Sequence, residues 1–499
     1  MTGKKGKNMS HIWSVVVDAW QWIMNNIFIL NIFLSIVIVF FERRDPRNVW
    51  TWLLVLYFIP ILGFLCYLII GVDFHKSKMF KTKEIEDRIS SVIQTQERKL
   101  LNDEFVDLPD DYKNCKELVL YNLESESSVY TDDNDIEIFF DGVEKFDALV
   151  RELEKAEKFI HIQYYIIKPD EVFEKIEKVL IKKAKEGVEV KILYDSMGCR
   201  YMKRRDWKRL NNAGIQTAEF FPAKLKKIHL RINYRNHRKI VVIDGKKGFV
   251  GGFNVGREYI GKDEYFKYWR DTHLLIEGKA AASLNMRFIL DWNYATKQNL
   301  FQDKYFPDEM DNYISKTKTG IQIISDGPDE KLLNVRNNYL WLMNNAKDHI
   351  YIQSPYFIPD EAILTALQMA AMSGVDVKIM IPCKPDHIFV YWAGYSYIGD
   401  LLEYGVKFYT YQPGFLHVKG VMADGKVCSF GTANMDIRSF QLNFEVNAVI
   451  YHRETTEKME AQFIKDLEVC KEITPYEYGR RSTLIRIKEQ ISRLLSPLL

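Results

Sequence analysis

His237-Arg238-Lys239 runs into Ile240-Val241-Val242-Ile243 and Asp244, and then, after a short interval, into Gly251-Gly252-Phe253-Asn254. The same grid returns as His417-Val418-Lys419, Asp424 and Gly431-Thr432-Ala433-Asn434. In both copies Lys follows His by two residues, Asp follows Lys by five, and Asn follows Asp by ten. A lone His-x-Lys reads as a surface pair. A grid whose every spacing recurs 180 residues later reads as two parts of one device. In a strand, residues i and i+2 share a face, so each copy presents an imidazole and an ammonium together. The apolar run then continues as buried sheet, and the Gly-Gly and Gly-Thr steps permit close backbone approach.

The surrounding chain repeats as well. Ile160-His161-Ile162-Gln163 parallels Ile350-Tyr351-Ile352-Gln353, and Gly-Val-Glu-Val-Lys-Ile at 187–192 parallels Gly-Val-Asp-Val-Lys-Ile at 374–379. Alternating apolar strands interleaved with helical stretches near 174–185 and 361–372 predict an α/β fold of βαβ units with a mostly parallel sheet. A duplication of this period predicts two similar domains packed face to face, each giving half of a site. We place the halves at 129–315 and 316–499, after a partly helical linker at 76–128 that carries no identifiable chemistry.

The N-terminal region reads differently. Residues 22–41 and 49–70 are apolar runs without charge, separated by Glu42-Arg43-Arg44-Asp45-Pro46-Arg47-Asn48. About twenty apolar residues suffice to cross ~30 Å of hydrocarbon, so residues 1–75 predict a tail and a two-helix transmembrane hairpin. A signal peptide fits poorly, because a charged turn and a second apolar run follow the first. Lys4, Lys5 and Lys7 balance Arg43, Arg44 and Arg47, and Lys76, Lys78, Lys81 and Lys83 break the tie. The expectation is a multi-pass plasma-membrane protein with its catalytic part cytoplasmic. Six scattered cysteines without a C-x-x-C agree with a reducing compartment. A net charge of +2 argues against a generic nucleic-acid binder.

Two copies of the motif brought together supply two imidazoles, two ammonium groups and two carboxamides. There is no H-E-x-x-H and no Asp-rich loop, so neither metal nor cofactor is expected. A phosphodiester suits such a site. One histidine can attack phosphorus while the other protonates the leaving alkoxide. Lys239, Lys419, Asn254 and Asn434 would hold the non-bridging oxygens.

The doubled H-x-K-x4-D with a downstream G-[G/T]-x-N resembles the phospholipase D superfamily. Within it, the charged turn at 42–47, Gly327-Pro328-Asp329, Gln353-Ser354-Pro355-Tyr356-Phe357 and the C-terminal Leu-Leu-Ser-Pro-Leu-Leu resemble bacterial cardiolipin synthases of the two-span type. The resemblance covers nearly the whole chain. It implies two phospholipase D-like mixed α/β sandwich domains face to face and metal-independent phosphatidyl transfer through a phosphatidyl-histidine. Phosphatidylglycerol and cardiolipin in the bilayer would be the partners, with no nucleic acid. Other readings are a phospholipase D-type hydrolase, a phosphatidyltransferase using another alcohol, and a tethered nuclease.

The resemblance also implies roles. Asp244 and Asp424 would be structural members of the motif. A downstream carboxylate would orient each histidine, with Glu445 the candidate for His417 and Asp271 for His237. Superfamily precedent makes His237 the nucleophile and His417 the acid. Gly252 removes a hydroxyl contact to phosphate in the first half, whereas Thr432 offers one in the second.

Three stretches keep open readings. Lys224, Lys226, Lys227, His229, Arg231 and Arg235 fit a nucleic-acid groove, a headgroup surface or a solvated edge. The aromatic run 389–397 fits an acyl-chain entrance or core. A basic amphipathic helix from 480 onward fits either an anionic membrane surface or its own domain.

Overall fold

The computed structural model describes residues 21–22, 25–41, 46–59, 61, 63–64, 67, 83–102, 108–221, 234–310 and 312–496. The chain divides into two compact units, 1–77 with 223–233, and 78–222 with 234–499.

In the smaller unit, α1 (Ile27–Phe41) and α2 (Pro46–Phe58) pack through Leu34, Ile38, Trp52 and Leu56, with Tyr67 edge-on to Trp52 at 5.4 Å. Phe28, Phe33, Phe40, Trp50 and Tyr57 point outward and are exposed. At 1.5 Å per residue, the 15 residues of α1 reach about 22 Å. Among the described residues, no helix is long and apolar enough to cross a membrane. The expected spans at 22–41 and 49–70 run partly through residues outside the described set. So do the charged turn at 42–45, the lysines at 76, 78 and 81, and the basic stretch 224–231.

The larger unit is built on two large sheets, with two short two-stranded ones beside them. The first is built from β1 (Asn134–Phe139), β2 (Phe159–Tyr164), β3 (Glu189–Asp195), β4 (Gln216–Phe220), β5 (Ile240–Ile243), β6 (Lys247–Gly251) and β7 (His273–Gly278), in the order β1-β7-β6-β5-β2-β3-β4. The second uses β8 (Gly320–Asp326), β9 (His349–Gln353), β10 (Asp376–Pro382), β11 (Lys407–Tyr411), β12 (Gly420–Ala423), β13 (Val427–Gly431), β14 (Asn443–Tyr451) and β15 (Cys470–Ile473), in the order β8-β14-β13-β12-β9-β10-β11-β15. Strand for strand the order is the same, with β15 added at one edge. The sheets are mixed, a correction to the mostly parallel expectation. Along the main strand order, the described parallel pairs are those of β2–β3–β4 and β9–β10–β11. The strands after each motif return through tight turns and pair antiparallel.

Helices pack on both faces of the sheets. They include α3 (Lys83–Leu101), α4 (Lys116–Glu126), α5 (Gly142–Glu154), α6 (Glu171–Lys185), α7 (Ala280–Thr296), α8 (Asn334–Asn345), α9 (Glu361–Met372), α10 (Ile388–Leu402), α11 (Arg453–Leu467) and α12 (Thr483–Leu494). Several start on an aspartate whose carboxylate takes the first free N–H groups, as Asp170 does for Val172 and Phe173. Helix α4, in the expected linker, packs Leu118, Val119 and Leu123 into the second half's core.

A central core joins the two sheets through α7 and α11, where Leu284 and Phe288 meet Met422, Val446 and Phe463. The run Ile240-Val241-Val242-Ile243 shows why it carries no polar residue. Ile240 and Val242 face this central core, and Val241 and Ile243 face the outer core beneath α5 and α6.

Asp244 and Asp424 occupy the turns after β5 and β12, with φ of 53° and 55°, each followed by a glycine of positive φ. Such Asp-Gly steps suit the left-handed backbone of a hairpin turn. Asp244 accepts from the N–H groups of Glu157, Lys158 and Phe159 at 2.7–2.8 Å, and Asp424 from Lys347, Asp348 and His349 at 2.8–2.9 Å. Each motif aspartate ties its hairpin to the start of the neighbouring strand. Asp244→Ala leaves those three N–H groups without their acceptor. It should lower unfolding free energy by about 3 kcal/mol in denaturant titration, with Asp244→Asn losing less.

Candidate active site

Both His-x-Lys triplets lie in extended chain just before a strand, at the seam between the halves. The two-residue strand Arg235–Asn236 pairs in parallel with the start of β14, matching Asn443 to Arg235 and Phe444 to Asn236. His237 N then donates to Phe444 O at 2.9 Å. In the other half, Gly414–Leu416 pairs with Tyr268–Arg270, and His417 N donates to Arg270 O at 2.7 Å. Each motif is thus hydrogen-bonded, residue by residue, to the segment carrying a site carboxylate.

The outcome exchanges the expected partners. His237 Nδ1 meets Glu445 at 2.9 Å and 3.0 Å, and His417 Nδ1 meets Asp271 Oδ2 at 2.6 Å. The expectation paired each histidine with a carboxylate of its own half. The cross-strand pairing instead sets each histidine against the carboxylate of the opposite half. In both cases Nε2 is the nitrogen left for chemistry.

Burial dominates the electrostatics. It pushes His237 down to about 4, against the pull of Glu445, and His417 down to about 3, with Lys419 acting in the same direction. Burial also takes Lys239 down to about 7 and Lys419 to about 8. Each lysine feels the charge of both Glu445 and Asp271, so the two motifs share one electrostatic site. Burial acts to raise Glu445, but His237 and Lys239 outweigh it and hold the carboxyl below its ordinary value. Lys239 and Lys419 each donate to the carbonyl of their own motif histidine.

Two expected phosphate contacts look different in place. Thr432 is fully buried, donating to Val446 O at 3.2 Å and accepting from Val446 N at 2.9 Å. Its hydroxyl fixes the strand bearing Glu445 and is not available to a phosphate. The equivalent Gly252 has a different necessity. A Cβ there would lie 2.0 Å from Asp271 Oδ1, so the carboxylate occupies the space of a side chain. Asn254 accepts from Ile166 N at 3.1 Å and donates to Tyr259 Oη at 3.2 Å, which leaves one amide hydrogen. Asn434 is buried, and its Oδ1 has no hydrogen-bond partner. Among the described residues, no group of three or more His, Cys, Asp or Glu is arranged to hold a metal ion.

Sequence reasoning missed a second layer. Arg238, read only as the spacer of the motif, is buried and clamps Asp291 at 2.6 Å and 2.8 Å. It also donates across the seam to Glu445 O and Asp326 O, both at 3.0 Å. Arg270 crosses the seam through its ion pair instead, donating to Asp466 Oδ2 at 2.8 Å, and bonds the carbonyl of its neighbour Asp271. Gln163 and Gln353 donate to those same aspartates, Asp291 and Asp466. The recurring glutamine was visible in the repeat, and its purpose was not. Tyr165 stands edge-on to His237 at 5.0 Å, and the Trp269 ring lies 5.1 Å from that of His417. Arg235 is buried, and most of the aromatic run 389–397 belongs to α10, where Ala393 and Tyr397 are core.

Gly252→Ala should displace Asp271 from His417. Turnover at this site should fall about 100-fold, the cost of a misplacement near 1 Å, with circular dichroism unchanged.

Comparison with known proteins places the chain in a family. The family described as "Cardiolipin synthase, PLD-like domain" matches residues 149–292 and 339–467, and "Phospholipase_D-nuclease N-terminal" matches 29–71. The cardiolipin synthase of Oceanobacillus iheyensis is 47% identical over 474 residues, covering 95% of this chain and 98% of its own. The major cardiolipin synthase ClsA of Bacillus subtilis is 47% identical over 476 residues, with 95% and 98% covered. A crystal structure of phosphatidylserine synthase from Haemophilus influenzae shares the fold, with a TM-score of 0.56 at 14% identity over 73% of this chain and 95% of that one. A family match in both halves and relatives nearly identical in extent lead to one statement: the chain belongs to the bacterial cardiolipin synthase family of the phospholipase D superfamily.

Proposed function

We propose that the protein is a cardiolipin synthase that transfers a phosphatidyl group from one phosphatidylglycerol to another, releasing glycerol. The observation that carries this reading is the crossed pairing of two buried histidines with the carboxylates of opposite halves, beside two buried lysines. Relatives of nearly equal length named cardiolipin synthase support the lipid substrate.

In the first step His237 Nε2 attacks phosphorus, and the bond to the glycerol oxygen breaks. His417 gives that oxygen its proton, and glycerol leaves. In the second step the terminal hydroxyl of another phosphatidylglycerol attacks the phosphatidyl-histidine. His417 now takes the hydroxyl proton, and the N–P bond breaks to give cardiolipin. The proton account closes over the cycle. Burial disfavours the charged form of both imidazoles. An anionic phosphodiester supplies the countercharge that burial withholds, which favours a protonated His417 once substrate is bound. Lys239, Lys419, Asn254 and Asn434 would stabilise the equatorial oxygens. His237 as nucleophile rests on superfamily precedent.

The N-terminal residues 22–41 and 49–70 would anchor the enzyme in the plasma membrane, with the catalytic halves, 129–315 and 316–499, on the cytoplasmic side. Supporting this are outward-facing Phe28, Phe33, Phe40 and Tyr57 and the lysines that follow the second run. The substrate then lies in the same leaflet the protein faces.

Purified enzyme with phosphatidylglycerol vesicles should yield cardiolipin and glycerol; phosphatidic acid without cardiolipin would make it a hydrolase. His237→Ala and His417→Ala should each abolish turnover, and near-normal activity in either would sink the shared site. Radiolabelled phosphatidyl donor trapped on His237 in the His417→Ala variant would confirm the nucleophile; label on His417 in the reverse variant would exchange the roles.

Protonation of His237 removes the nucleophile, so kcat should fall on the acid side. Lys239 and Lys419 lose their charge as pH rises through about 7 and 8, so phosphate binding should weaken along an alkaline limb in that range. Lys239→Arg should move the alkaline limb upward, because arginine keeps its charge.

A further inference from the structure

Helix α12 is turned the wrong way round for a helix of a soluble core. Leu484, Ile487, Ile491 and Leu494 share one face and are 71%, 49%, 53% and 79% exposed. The buried residues of this helix are Glu489 and Ser492. Glu489 is held by Arg481 at 2.7 Å and 3.0 Å, and Arg493 reaches Asp400 of α10 at 2.5 Å. The helix is therefore fastened to the body through polar and ionic contacts while its apolar stripe faces outward, the reverse of the usual amphipathic arrangement.

The stripe has a neighbour. Lys488 Nζ lies over the Trp392 ring of α10 at 5.4 Å, one turn from Phe389. Ile388 and Phe389, in the first turn of α10, are 65% and 55% exposed. Just before them, Asp386 takes a hydrogen bond from Tyr356 and contributes to the electrostatic environment of Lys419. The apolar surface thus passes from α12 along α10 to the rim of the catalytic site.

Charge names the occupant. Arg480, Arg486 and Lys488 are exposed beside the stripe, and the only acidic residue from 480 to 494 is the buried Glu489. An apolar face rimmed by cations, with no exposed anion on the helix, complements an anionic bilayer surface. A second protein copy would need matching anions facing these cations, and α12 itself offers none.

We propose that α12 and the first turn of α10 form the surface on which the catalytic unit rests against an anionic bilayer, with Leu484, Ile487, Ile491, Leu494, Ile388 and Phe389 entering the headgroup–acyl boundary. The proposal rests on the reading of the substrate as a bilayer lipid. It gives the site a route to that lipid separate from the N-terminal anchor.

The full chain in phosphatidylglycerol vesicles, carrying a bimane label at Ile487→Cys, should lose at least half its fluorescence to nitroxide lipid. A label at Glu472→Cys should not, after subtraction of the signal from unsubstituted protein. Weaker quenching in phosphatidylcholine vesicles is expected. This readout needs no turnover, so cardiolipin failing to form while Ile487 is quenched would count against the function alone. Cardiolipin forming with Ile487 unquenched would overturn the docking surface alone. As a second measure, L484Q/I487Q/I491Q/L494Q should cut turnover of bilayer phosphatidylglycerol about tenfold and leave turnover of monomeric short-chain phosphatidylglycerol unchanged. An equal loss on both substrates, no loss on either, or a shift in oligomeric mass would each overturn the proposal.

Discussion

Everything in the larger unit depends on two imidazole–carboxylate contacts that cross the seam. Histidine and carboxylate groups this deeply buried are costly to desolvate, and removing one member would strand the other in a low-dielectric interior. Here the partner always belongs to the other half. His237 has its carboxylate only when β14 is docked, and His417 only when Tyr268–Arg270 is in place. Docking and site assembly are consequently a single event. The arginine clamps serve the same end, because Arg238 and Arg270 each hold the backbone of a carboxylate-bearing residue while anchored on a buried aspartate.

The assembled site concentrates titratable groups away from water. Two lysines and two histidines face two carboxylates, and burial lowers the proton affinity of all four bases. An anion between the motifs would relieve that penalty.

The halves repeat in topology and differ in detail where they touch. Asp271 and Glu445 stand at equivalent places, yet the shorter acid requires Gly252 opposite it, while the longer acid leaves room for Thr432 to bind the strand. His273 and Asn447 are also equivalent. Asn447 satisfies Thr432 N and Ala433 N, whereas both ring nitrogens of buried His273 are without a hydrogen-bond partner. The shells that support the two imidazoles are therefore unlike.

The sequence by itself determined the duplication and the residue types that each half brings to the seam. Spacing identified His237, Lys239, His417 and Lys419, and the Asp-Gly steps at 244 and 424 belong to turns that any local reading can place. Local sequence also marked the apolar N-terminal runs. Tertiary structure decided the sheet's mixed direction, because strand pairing is a contact between distant segments. It decided that Thr432 serves a strand and that Gly252 yields its space to Asp271. Above all it decided which carboxylate serves which histidine. Sequence proximity favours partners in the same half, but hydrogen bonding of 235–237 to 443–444 and of 414–417 to 268–270 exchanges them. Periodicity along a chain carries no information about which of two similar surfaces that chain will meet.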